Sequence, residues 1–122
     1  MLRIPTRVHG ALDYLMGALL IAAPWLLGFA TGGPEQWVPV GVGATVLAYS
    51  LFTDYELGAV RWIGVPWHLL LDALSGVALA ASPWVLGFDE KVWIPHVAAG
   101  ALEVLAALFT NTIPAYERRR AR

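Results

Sequence analysis

The sequence predicts an all-α fold: four transmembrane helices forming two hairpins that repeat one another in parallel, related by a pseudo-two-fold along the membrane normal. Three observations predict it. Of the 122 residues, 58 % are hydrophobic and only 14 % are charged, against about 25 % charged in an ordinary soluble domain. Four long apolar segments, at 8–29, 38–53, 65–88 and 93–113, carry almost no charge. The chain also matches itself when displaced by 59 residues, a period that pairs the first segment with the third.

Taken in order, segment 8–29 follows Arg3 and Arg7 and resembles a signal peptide in outline. Its recurrence at 65–88 argues instead for a helix that stays. Segment 38–53 is short for a bilayer crossing, which takes about 20 apolar residues at about 1.5 Å each. Segments 65–88 and 93–113 are long enough. Alanine and leucine outnumber β-branched residues and no alternation of apolar and polar residues appears, so strands are a poor reading. The whole of 1–122 reads as one membrane domain, with repeats at 8–53 and 65–113 and a basic tail at 114–122.

Charge gives an orientation. Arg3, Arg7, Arg61, Arg118, Arg119, Arg120 and Arg122 would share one side of a four-span protein, and only Lys91 the other. By the positive-inside rule both termini are expected in the cytoplasm of a prokaryote, the chain being multi-pass in its inner membrane. Trp25, Trp37, Trp84 and Trp93 fall near the outer helix ends; Trp62, Trp67, Tyr55 and Tyr116 fall near the inner ends, as aromatic belts do. There is no cysteine, so thiolate metal sites and redox dithiols are excluded.

The repeat is detailed. At the 59-residue offset His9 meets His68, Asp13 meets Asp72, and Gly17 meets Gly76. Pro24, Trp25, Gly28 and Phe29 meet Pro83, Trp84, Gly87 and Phe88. Trp37 and Pro39 match Trp93 and Pro95 at offset 56, and 51–53 matches 108–110 at offset 57, so the second helices align less firmly than the first. Ser82-Pro83-Trp84 followed by Gly87-Phe88 resembles the signature of the SPW-repeat family of small prokaryotic integral membrane proteins. The first copy has Ala23 in place of the serine. The resemblance implies two transmembrane helices per repeat and supplies no activity.

On a helix advancing about 100° per residue, Gly17, Pro24 and Gly28 share a face, as do Gly76, Pro83 and Gly87. Proline bends a helix and glycine admits a neighbouring backbone. The motif therefore reads as a packing device with Trp25 and Trp84 as interface anchors. Gly41, Gly43, Ala44 and Ala48, with Ala98, Ala99, Gly100 and Ala101, add small residues suited to contacts within the bundle or between subunits.

The chemistry-bearing residues are His9, Asp13, His68 and Asp72. The i, i+4 spacing places each pair on one helix face, and the repeat places both pairs at one depth. They form either a hydrogen-bonded clasp between the halves, the leading reading, or a cation or proton site of unspecified metal. Glu103 is the one acid deep in an apolar run; it is expected to be protonated, or hydrogen-bonded to a group such as Thr45 or a histidine. His96 is expected at the interface. No Walker loop, dinucleotide fingerprint or nucleophile motif is present, and no cofactor is expected.

The leading functional expectation is a non-enzymatic scaffold or interaction protein of the lipid bilayer, homo-oligomeric or bound to another membrane protein, with no nucleic-acid partner. The alternative is a small proton or divalent-cation pathway through the four-residue cluster. An enzyme acting on a lipid or quinone has only that cluster in its favour.

Overall fold

The computed structural model describes residues 3–120. Five helices follow in order: α1 (Thr6–Leu26), α2 (Pro34–Leu51), α3 (Val65–Val85), α4 (Ile94–Phe109) and α5 (Ala115–Arg120). Among the described residues there is no strand, only two isolated bridges. Prolines open the helices: Pro5 lies extended just before α1, and α2, α3 and α4 carry proline in their first two positions. The ring closes off a donor that the first turn leaves unpaired in any case.

The ends of α1 and α3 correct the reading of the Gly-Phe pair. Gly28 and Gly87 do not continue the glycine-proline face, because both lie beyond their helices with φ of 78° and 72°. A Cβ at either would meet nothing within 4 Å, so neither is a close-contact residue. Each occupies the left-handed position after the cap, and the next N–H turns back to the proline carbonyl: Phe29 to Pro24 and Phe88 to Pro83, both at 2.8 Å. That is a Schellman termination, which favours glycine because other residues are strained at positive φ. The spacing of proline, glycine and phenylalanine marks a helix stop.

Gly17 and Gly76 do pack closely. α1 packs chiefly on α2, and α3 chiefly on α4. A Cβ built on Gly43 would stand 2.6 Å from the Gly17 carbonyl oxygen, and one on Gly100 would stand 2.4 Å from that of Gly76. Backbone meets backbone at both crossings. Gly43 and Gly100 are 57 residues apart, so α2 and α4 align at that offset from their middles onward.

The same offset governs the C-terminal ends of α2 and α4. Ile4 pairs with Thr110 and Ile63 with Thr53. The Ile4 N–H donates to the Phe109 carbonyl at 2.7 Å, and the Ile63 N–H to the Phe52 carbonyl at 2.8 Å. This pairing explains a second difference from expectation. Thr110 is extended (ψ 144°), so α4 stops at Phe109 after 16 residues and is shorter than its apolar segment promised. α1 and α3 are long and apolar enough to cross a membrane; α4 is a shorter apolar helix.

The segment expected as a basic tail begins as α5, apart from Arg122, which lies outside the described residues. Glu56, in the α2–α3 connection, accepts from the Thr6 hydroxyl at 2.7 Å and 2.9 Å and from the Ala115 N–H at 2.9 Å. Burial alone would raise its pKa, but these donors outweigh that and hold the carboxyl below the usual carboxylate range. Its contribution is therefore complete above that range and is lost as pH falls through the lowered pKa. Glu56→Gln should cost about 1 kcal/mol at neutral pH. In urea titrations the gap from the wild type should close toward pH 3; a gap unchanged with pH would refute the assignment.

The outer surface is apolar, and the inside holds polar groups among leucine, valine and phenylalanine. All six tryptophans are exposed, as are Leu12, Leu15, Leu19, Leu74, Leu102 and Leu105. His9, Asp13, His68, Asp72, Thr53, Thr110 and Glu103 are buried. Tyr55 is also fully buried, contrary to its expected place in an aromatic belt, because its hydroxyl is drawn inward to Asp13.

Candidate functional site

His9 and Asp13 sit on the buried side of α1, and His68 and Asp72 on that of α3. The closest pairs run between the helices. His9 Nε2 lies 2.6 Å from Asp72 Oδ2, and His68 Nε2 lies 2.8 Å from Asp13 Oδ2. The within-helix pairs, His9 with Asp13 and His68 with Asp72, are both 3.1 Å. The four side chains form a closed ring, with one ligand atom from each lying within 4.8 Å of the others.

Two threonines from the partner hairpins set the imidazoles. The Thr53 hydroxyl donates to the Tyr49 carbonyl at 2.7 Å, so at 2.7 Å from His68 Nδ1 it is an acceptor. The Thr110 hydroxyl donates to the Ala106 carbonyl at 2.5 Å and accepts from His9 Nδ1 at 2.8 Å. Both histidines thus carry a proton on Nδ1, and both Nε2 atoms face the carboxylates. A hydrogen-bonded Nδ1 is the usual way a protein aims an imidazole at a metal. Tyr49 donates to Asp72 Oδ1, and Tyr55 to Asp13 Oδ2 at 3.1 Å.

The model of the SPW repeat domain matches residues 7–110. The chain belongs to the SPW repeat domain family. Neither a curated protein nor a solved structure matches it.

The serine that opens the SPW motif has a local task here. Pro83 has no N–H to give the Leu79 carbonyl one turn back. The Ser82 hydroxyl donates to that same carbonyl at 2.7 Å, and Leu79 is fully buried. Ala23 lacks the means to do this for Leu20. Ser82→Ala should therefore cost about 1–2 kcal/mol, and Ala23→Ser should add stability. Thermal unfolding of the two variants checks both signs; a silent Ser82→Ala would sink the account.

Glu103 is buried on α4, where α2 carries Val46 at the 57-residue offset. Its partner is neither Thr45 nor a histidine. Thr45 is exposed and donates to the Gly41 carbonyl, whereas the Ser75 hydroxyl donates to Glu103 Oε2 at 3.3 Å. Glu103 Oε1 has no partner among the described residues. A cavity of about 320 Å³ lies between α1 and α4, walled by His9, Asp13, Asp72 and Glu103 at its polar end.

A second polar group lies at the opposite end of the helices. His96 is buried rather than interfacial, because Phe29 and Phe88 close over it at ring-centroid distances of 5.3 Å and 4.9 Å. Its Nε2–H donates to the Glu35 carbonyl at 2.9 Å. The Glu35 side chain is buried, accepts from Thr31, and lies 3.5 Å from Lys91. The phenylalanine of each SPW copy thus packs on one histidine. Sequence reasoning passed over Glu35, Thr53, Thr110 and Tyr49; the shared threonine at 53 and 110 was the available signal.

Proposed function

We propose that this chain is a four-span protein of the prokaryotic cytoplasmic membrane, with both termini cytoplasmic, that binds a divalent cation in the His9, Asp13, His68 and Asp72 ring. The apolar exterior supports the membrane reading, since a surface of exposed leucine and tryptophan needs a lipid or protein cover. α1 and α3 have spanning length; α2 and α4, tightly apposed to them through glycine, cross a locally thinner layer. The reciprocal contacts of Gly43 and Gly100, and of Thr53 and Thr110, support a pseudo-two-fold along the membrane normal. The positions of Arg3, Arg7, Arg61 and Arg118 support cytoplasmic termini.

The fixed Nδ1–H tautomer of both histidines carries the cation reading. Two imidazole nitrogens and two carboxylate oxygens converge on one point, a donor set suited to zinc or manganese. A clasp alone needs ion pairs but has no need to hold both Nε2 atoms at one centre. Metal-stripped chain titrated with zinc in equilibrium dialysis should take up one equivalent, and His9→Ala/His68→Ala should take up none. Absence of uptake by the wild type refutes the reading.

A self-associating scaffold is the second reading. It is favoured by Gly41, Ala44, Thr45 and Ala48, which form an exposed small-residue stripe on α2, the kind of face on which membrane helices meet.

A further inference from the structure

The two sides of the ring are built differently. On one side Tyr49 of α2 stands edge-on to His68, with ring centroids 4.9 Å apart, and its hydroxyl donates to Asp72 Oδ1. The corresponding position of α4, at the offset shared by Gly43/Gly100 and Thr53/Thr110, is Ala106. A methyl group stands where the other side has a phenol. The 320 Å³ cavity lies there, with Ala106, His9 and Asp13 in its wall.

Two carboxylates at that end keep an open oxygen, although Asp13 Oδ2 takes the Tyr55 hydroxyl at 3.1 Å. Asp72 Oδ1 takes the Tyr49 hydroxyl, whereas Asp13 Oδ1 has only His9 Nε2, at 3.1 Å. Glu103, 7 % exposed and also in the wall, leaves Oε1 unpaired. The outer wall is Leu12, Leu15, Leu19, Leu102 and Leu105, which are 43–56 % exposed. The cavity therefore opens on the apolar surface. A second space of about 210 Å³ shares Met16, Leu19 and Leu102 with it and extends the cleft toward His96.

We propose that this cavity binds a hydroxyaromatic molecule, a phenol or hydroquinone head on an apolar tail, in the place that Tyr49 fills on the other side. Its ring lies against His9 and its hydroxyl donates to Asp13 Oδ1. Glu103 supplies a second polar contact, and the tail follows the leucine-lined cleft between α1 and α4. Entry from the lipid rests on the membrane reading; the site itself rests on the missing phenol. A buried acceptor built for a hydroxyl rejects an analogue without one, because the acceptor is then left unpaired.

The test uses the full chain, metal-stripped, at a fixed detergent concentration, with 4-heptylphenol and its methyl ether as probes and tryptophan fluorescence as the readout. The phenol should bind at least tenfold more tightly than the ether. Ala106→Tyr, which fills the cavity and supplies its own hydroxyl, should weaken phenol binding at least tenfold and raise the melting temperature. Equal binding of phenol and ether overturns the proposal, as does undiminished binding to a folded Ala106→Tyr chain. If that variant does not fold, the phenol-to-ether ratio of the wild type decides. A chain that remains in the aqueous fraction overturns the membrane reading while the ratio is still measured, so the two failures are distinct.

Discussion

Zinc or manganese should raise the melting temperature of the wild-type chain, and His9→Ala/His68→Ala should abolish the rise. A ligand present at 100 times its Kd stabilises the folded state by about 2.7 kcal/mol, a shift of several degrees for a chain of this size. The effect should grow from pH 5 to pH 8, because cation binding displaces protons from the ring. Each Nε2 now faces a carboxylate at 2.6–2.8 Å, a contact that needs a proton which the cation replaces. A double variant that melts lower than the wild type, with neither chain responding to metal at any pH, would identify the ring as a clasp alone.

Removing one carboxylate should have the largest structural effect. Asp72 receives Tyr49, His9 and His68 together. Asp72→Ala leaves these groups facing an empty acceptor position inside the bundle. Breaking a buried ion pair by deleting one partner costs about 3–5 kcal/mol. Asp13→Ala should have a comparable effect, since Asp13 likewise receives three donors, His9 at 3.1 Å, His68 at 2.8 Å and Tyr55 at 3.1 Å. The two losses should not add, because both aspartates share both histidines. Chemical unfolding of the two single variants and the double checks this; strictly additive losses would show that the ring is two independent pairs. Trp84→Ala, at an exposed position, serves as the comparison and should change stability little.

Much of the fold was legible because it is local. The i, i+4 spacing of His9 with Asp13, and of His68 with Asp72, fixes a shared helix face whatever surrounds the helix. The 59-residue identity announced two like units before any packing was known. The Gly-Phe pair misled for a local reason too. Read as a continuing helix, Gly28 falls on the face of Pro24, but the helix ends at Leu26 and Gly28 lies beyond its cap at positive φ. Thr53 and Thr110 were marked only by their match at the 57-residue offset, and Tyr49 carried no signal, because a tyrosine in an apolar segment is an ordinary residue until a partner is placed beside it.

The sequence by itself determined the all-α class, the two repeats, the polar residues at one depth and the family, since each follows from composition, helical period or identity along the chain. The tertiary structure alone decided which histidine meets which aspartate, the tautomer that the two threonines impose, and the burial of Tyr55, Glu35 and His96. It also revealed the cavity beside Ala106. These depend on how each hairpin closes and how the two hairpins then meet; the closing is set by backbone contact between glycines 26 and 24 residues apart in sequence. The cavity is the extreme case: an alanine leaves no mark in a sequence rich in alanine, and only packed neighbours show what it fails to fill.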